Sequence, residues 1–95
     1  MEGKNSKIEL DDVAMDILGA VYFVEPFDKI LEDVNHPAKV VADSLKFLIQ
    51  HRYITAMKLN EGEDVYVRSF IYDADDMRAY NYVATRKGLL AHNSR

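Results

Sequence analysis

The segment Asn35-His36-Pro37-Ala38-Lys39-Val40-Val41-Ala42-Asp43-Ser44-Leu45-Lys46-Phe47-Leu48-Ile49-Gln50-His51-Arg52-Tyr53-Ile54 contains a turn, a helix and the start of a strand. Asn35 or His36 can cap a helix whose first turn holds Pro37, where the missing N–H costs nothing. From Pro37 to Arg52, Ala38, Val41, Leu45, Leu48 and Ile49 recur at helical spacing and predict a core stripe, with Lys39, Asp43, Lys46 and Gln50 on the opposite face. Beyond Arg52 the composition shifts to Tyr, Val, Ile and Thr, residues that favour strands.

Moving outward toward the N-terminus, Phe27, Ile30, Leu31 and Val34 form the apolar face of a second predicted helix, Pro26 to Val34. Before it, Leu10, Val13, Ala14, Ile17, Leu18 and Val21 predict a first helix from Leu10 to Phe23, with Asp11 and Asp12 at its positive N-terminal end. Two helices meeting across a turn as short as Asn35-His36-Pro37 form a helix-turn-helix. Toward the C-terminus the runs Tyr53 to Leu59 and Asp64 to Tyr72 predict a hairpin around the Asn60-Glu61-Gly62-Glu63 loop. After the Asp73-Ala74-Asp75-Asp76 turn, Arg78 to Thr85 can pair back on the sheet, and Arg86 to His92 reads as a closing helix. The expectation is one α+β domain over residues 1–95 with an ordered core of about 8–93: a three-helix bundle, a β-hairpin and a short C-terminal helix.

Size and composition agree with that reading. The chain has 95 residues, 48% hydrophobic and 29% charged, which is enough for one modest core and too apolar for intrinsic disorder. There is no cysteine, so neither a disulfide framework nor a thiolate metal site is available. The longest apolar run is Ile17 to Val24, far short of the ~20 residues that span a bilayer. Met1 to Lys7 carries no apolar signal-peptide core, and a cytoplasmic location without membrane contact is the expectation.

Within this order two segments carry a family likeness. Val41 to Ile54 resembles the end of the recognition helix of winged helix-turn-helix DNA-binding domains, as found in bacterial transcriptional regulators, where two leucines three apart pack inward before the first wing strand. Tyr82-Val83-Ala84-Thr85-Arg86-Lys87-Gly88-Leu89-Leu90 is similar to the last wing strand running through a Thr-x-x-Gly turn into a final helix. The resemblance spans about Leu10 to Asn93 and implies a winged-helix fold, with helix three in the major groove of double-stranded DNA and the hairpin of residues 53–72 as the wing. It nominates Lys39, Asp43, Ser44, Lys46 and Gln50 as groove-facing residues. Lys39 and Lys46 suit phosphate or guanine, Gln50 suits adenine, and Asp43 must accept from cytosine or pair with a lysine. Arg52, Lys58 and Arg68 are the corresponding wing or backbone contacts.

Charge pulls in two directions. Twelve Lys and Arg against sixteen Asp and Glu set the net charge at −4, and Glu61, Glu63 and Asp64 make the loop of the hairpin acidic, whereas phosphate contact favours bases. The segment from His36 to Asn60 nevertheless carries Lys39, Lys46, Arg52 and Lys58 against Asp43 alone. Two readings therefore stand. In one the protein is a small DNA-binding transcriptional regulator acting as a homodimer. In the other it is a protein-interaction or dimerisation module that leaves DNA alone and uses Phe47, Tyr66, Phe70 and Tyr72 as interface aromatics, covering the long edge Val65 to Tyr72.

No catalytic or cofactor motif emerges. His36, His51 and His92 lack the spacing of metal ligands, and Asp73, Asp75 and Asp76 lack the glycine and twelfth-position glutamate of a calcium loop. No Gly-rich phosphate loop and no nucleophile elbow occurs, so neither a cofactor, a metal nor an enzyme activity is expected.

Overall fold

The computed structural model describes residues 10–60, 62–63, 65–69, 72–73 and 75–94. Its elements are α1 (Asp12–Ala20), β1 (Glu25–Pro26), α2 (Phe27–Asp33), α3 (Ala38–Gln50), β2 (Ile54–Asn60), β3 (Val65–Arg68), a 3-10 turn (Met77–Ala79), β4 (Asn81–Ala84) and α4 (Arg86–Asn93). The fold is α+β, with four α-helices and one antiparallel sheet of four strands among the described residues. None of these helices is long and apolar enough to cross a membrane.

α1 begins where the Asp11 carboxylate accepts the Ala14 N–H at 2.8 Å, and it turns Ala14, Met15, Ile17 and Leu18 into the core. It ends three residues before the predicted Phe23. Val21 leaves helical geometry and its carbonyl accepts the Ala84 N–H at 2.8 Å, which commits the chain to the sheet instead. α2 and α3 keep their predicted extents within one or two residues, joined across Val34 to Pro37. The expected cap on α3 is not formed. Pro37 occupies the N-cap position and has no side chain to offer, while His36 Nε2 lies 2.8 Å from Asp16 Oδ2 and braces the turn against α1.

The sheet is where the sequence expectation needs most correction. Its strand order is β1-β4-β2-β3, so β4 lies between the two-residue β1 and the long β2. β2 pairs along Ile54 to Met57 with β4 on one edge and along Met57 to Asn60 with β3 on the other. The second hairpin strand is four residues long, against the nine expected from Asp64 to Tyr72, and the third segment forms a strand only over Asn81–Ala84. The core lies between the sheet and the helices. Ile17, Leu18, Ile30, Val41, Leu45, Leu48 and Tyr82 are fully buried, and no described charged side chain is buried with them. Each such aliphatic side chain contributes roughly 1.5–3 kcal/mol of burial.

The junction of α3 with β2 fixes the position of everything after it. Arg52 has φ 67°, the left-handed conformation, and is the one described non-glycine residue with positive φ. Its N–H donates to Ile49 O at 3.1 Å and the Tyr53 N–H donates to Leu48 O at 2.8 Å, the paired bonds of a Schellman C-cap. Lys87 Nζ donates to His51 O at 2.9 Å and Thr85 Oγ1 to Arg52 O at 2.7 Å, so α4 completes the satisfaction of the helix end. A side chain at this position costs about 1 kcal/mol relative to glycine. Arg52→Gly is expected to raise the urea midpoint by a stability gain of up to ~1 kcal/mol without changing the m-value. A loss of stability would show that the arginine side chain contributes more than its backbone strain costs.

Candidate nucleic-acid interface

Helix geometry carries four of the five nominated α3 residues to one place. Lys39, Asp43, Lys46 and Gln50 are exposed on a single stripe diametrically opposed to buried Val41, Leu45 and Leu48. Asp43 takes the lysine alternative: its Oδ2 lies 3.7 Å from Lys39 Nζ, one turn away, with side chains 72% and 88% exposed. At that exposure the pair contributes little to stability, and either group is free to exchange partners.

Ser44 does not belong to the stripe. It lies 140° around the helix from Lys39 at 100° per residue and is half-buried. Together with Val40 and Phe47 it lines a groove of about 460 Å³ against Leu10, Val13 and Ala14, with the carboxylates of Asp11 and Asp43 also in the lining. Phe47, nominated as an interface aromatic, is half-buried in the same groove and packs its ring 4.3 Å from that of His51.

A second groove, of about 430 Å³, opens where the end of α3 meets β2 and β3. Gln50, Arg52, Thr55, Arg68, Ser69 and Tyr72 are among its lining residues, and none of the described lining residues is acidic. Arg52 and Arg68 are sixteen residues apart in the chain and come together because the left-handed turn at Arg52 starts β2, and β2 pairs with β3 through Met57 and Arg68. Gln50 belongs both to the α3 stripe and to this groove, so the two are continuous. Lys58 is not part of it. Cross-strand partners share a face of the sheet, so Arg68 lies on the side of Met57, whereas Lys58 projects to the other side and sits 5.1 Å over the Tyr80 ring.

Two further nominations change meaning. Tyr72 is half-buried in a tyrosine cluster, its ring 4.9 Å from Tyr80 and its hydroxyl 3.2 Å from that of Tyr82, so it is a structural residue more than an interface one. Tyr82 donates its hydroxyl to Met77 O at 2.7 Å, and the Asp73 N–H donates to the Tyr80 hydroxyl at 3.0 Å. Burial drives the Tyr82 phenol far above the ordinary tyrosine range, and Tyr72 moves the same way for the same reason. Tyr66 is exposed on the hairpin, and Phe70 lies outside the described residues.

The hairpin is exposed along the edge that the sequence suggests and, beyond that expectation, on both faces. All four residues of β3 are exposed, so both of its faces are open, and Leu59, Val65, Tyr66 and Val67 are each 41–47% exposed. Alternation in sequence predicts one covered face, and nothing in the residues says that β2 runs past its helices here. Compared with protein-family models, curated proteins and solved structures, the chain matches none.

Proposed function

We propose that this chain is a winged helix-turn-helix protein that binds double-stranded DNA, a small cytoplasmic transcriptional regulator with α3 as its reading helix. One observation carries the reading. The exposed stripe of Lys39, Asp43, Lys46 and Gln50 continues through Gln50 into a groove that holds Arg52 and Arg68 and no acidic side chain among its described lining residues. The arrangement gathers four positive side chains along one side of a chain whose net charge is −4. The element order supports the fold assignment, since a helix-turn-helix is followed by a long hairpin, a closing strand and a final helix entered through Thr85-Arg86-Lys87-Gly88. In this reading the lysines and arginines hold phosphate while Gln50 faces base edges. The acidic hairpin loop stays off the duplex, so contact is confined to α3 and the groove. Lys58, on the far side of the sheet, takes no part.

The test is fluorescence anisotropy of a labelled mixed-sequence duplex. Four phosphate contacts give a log-log salt slope near −3.6, so affinity is expected to fall roughly 100-fold or more between about 50 and 200 mM salt. Lys39→Ala/Lys46→Ala should flatten that slope by about two units, whereas Lys58→Ala should leave it unchanged. Absence of binding at tens of micromolar protein in low salt would sink the proposal. The open hairpin favours the second reading, a module that contacts protein, and that reading predicts the absence of binding.

A further inference from the structure

Asp43 is the only acidic residue of α3, and it stands in the exposed stripe between two cations. Lys39 lies one turn before it and Lys46 one turn after, and Gln50 closes the stripe two turns on. A carboxylate at this point weakens phosphate contact, so a helix that only had to hold phosphate gains nothing from it. Its pairing with Lys39 does not account for it either. At 3.7 Å the contact between Asp43 Oδ2 and Lys39 Nζ is longer than a hydrogen bond, and both side chains are largely exposed, so neither charge has been desolvated. Such a pair separates at almost no cost once a phosphate takes the lysine. What remains is a bare acceptor in the middle of the helix face that the proposed function turns toward the major groove.

Base edges in that groove answer an acceptor unequally. Guanine offers O6 and N7 and thymine offers O4, all acceptors that repel a carboxylate. Adenine has a donor in its N6 amino group but sets the acceptor N7 beside it, where the second carboxylate oxygen has to lie. Cytosine presents its N4 amino donor and no acceptor. We infer that Asp43 is a specificity-determining residue of α3: its carboxylate accepts from the N4 amino group of one cytosine and excludes sites that lack it. Lys39 holds the carboxylate until a phosphate draws the lysine away. The inference rests on the reading of α3 as the helix that enters the groove. Gln50, the other base reader, stands seven residues further along α3, ~10.5 Å at ~1.5 Å per residue. With base pairs ~3.4 Å apart, the cytosine read by Asp43 and the adenine read by Gln50 fall within about three base pairs of each other.

The test is selection of bound sites from a randomised duplex pool by the full chain, with the parent beside Asp43→Asn and Asp43→Ala. The parent should fix a C·G pair at one position. Asparagine places a donor beside an acceptor, the complement of adenine N6 and N7, so Asp43→Asn should move that position to A·T and leave the rest of the site unchanged. Asp43→Ala should lose the preference and, with the repulsion gone, bind mixed-sequence DNA more tightly than the parent. By anisotropy the parent should bind its selected duplex roughly tenfold or more tighter than the same duplex with that pair changed to A·T, and Asp43→Asn should reverse the order. Lys46→Ala is the control and should weaken binding to both duplexes alike. Urea midpoints of the Asp43 variants should match the parent, because the side chain is exposed. If Asn and Ala behave alike, both binding more tightly and neither changing the selected base, Asp43 only repels phosphate and the inference is overturned. Mixed-sequence DNA bound with the expected salt slope, but with no cytosine in the selected site, overturns it too and leaves the phosphate contacts of α3 in place. No binding by any variant overturns the inference and the DNA reading together.

Discussion

Gly88→Ala is expected to cost about 3 kcal/mol or more and to lower the melting temperature by roughly 12–24 °C. A Cβ at this position would sit well inside the contact radius of the Tyr53 carbonyl oxygen and 3.0 Å from Leu18 Cδ2. The first obstacle is backbone and has no rotamer to move into. It is also tied in place: Tyr53 O accepts the Thr85 N–H at 3.0 Å, and Thr85 Oγ1 accepts the Gly88 N–H at 3.0 Å while capping α4. Relief therefore requires α4 to back away from β2, which gives up those bonds at about 1 kcal/mol each and uncovers Leu18. The better helix propensity of alanine returns about 1 kcal/mol, which is too little to reverse the sign. Against a total stability of ~5–15 kcal/mol for a domain of this size the loss is large. Gly62→Ala is the control, because its Cβ would meet nothing nearer than Asn60 Oδ1 at 3.7 Å, and its melting temperature should stay within a few degrees of the parent. Equal melting of the two variants would mean that α4 is not held against Tyr53 as closely as the geometry requires.

The Thr85–Gly88 turn shows what kind of information the sequence carries in readable form. A threonine cap, a glycine three residues on and an apolar run after it are local signals, and so are the periodicity of α3 and the shift to strand-forming residues after Arg52. Helix order and approximate extents follow from such signals. Arg52 poses its question in sequence as well, since a C-cap without glycine must either avoid positive φ or bear its cost, and the structure shows that it bears it. Two features were equally local and still read wrongly. The arithmetic of 100° per residue places Ser44 away from Lys39, and the cap expected from Asn35 or His36 is not formed because Pro37 itself takes the N-cap position.

What sequence does not show is pairing between distant segments. β1 is two residues long and becomes a strand only because β4 lies beside it, and β4 can lie there only because β3 has taken the other edge of β2. Each of these choices depends on the others, and no window of sequence contains them. The placing of Arg52 and Arg68 in one groove and the packing of Tyr72 against the core follow from the same long-range choices. Net charge carries no such information for a related reason: it sums residues that the fold distributes to different sides.

The tyrosine cluster gives the second large effect, a loss of stability in alkali. A tyrosine whose folded-state pKa is raised keeps its proton while the unfolded chain, with a pKa near 10, loses its own. Stability is therefore intact below pH ~10 and falls as the pH rises above it, through the interval up to the folded-state value. Tyr82 alone can contribute up to ~1.4 kcal/mol per pH unit, a ceiling that solvent screening lowers, and half-exposed Tyr72 adds a smaller, screened amount in the same direction. By pH 12 the sum is about 2–3 kcal/mol, comparable to the loss of a buried side chain. Tyr82→Phe separates this from ordinary destabilisation. At pH 7 the variant should be less stable by about 1–2 kcal/mol, because Met77 O loses the donor it has in the Tyr82 hydroxyl at 2.7 Å. Between pH 10 and 12 its stability should fall less steeply than that of the parent, so the two curves converge. Urea midpoints at constant m-value across that range measure both effects. Parallel curves would remove Tyr82 as their source. Convergence would establish that one phenol, bonded to the 3-10 turn and carried by the strand between β1 and β2, is the source of the alkaline loss.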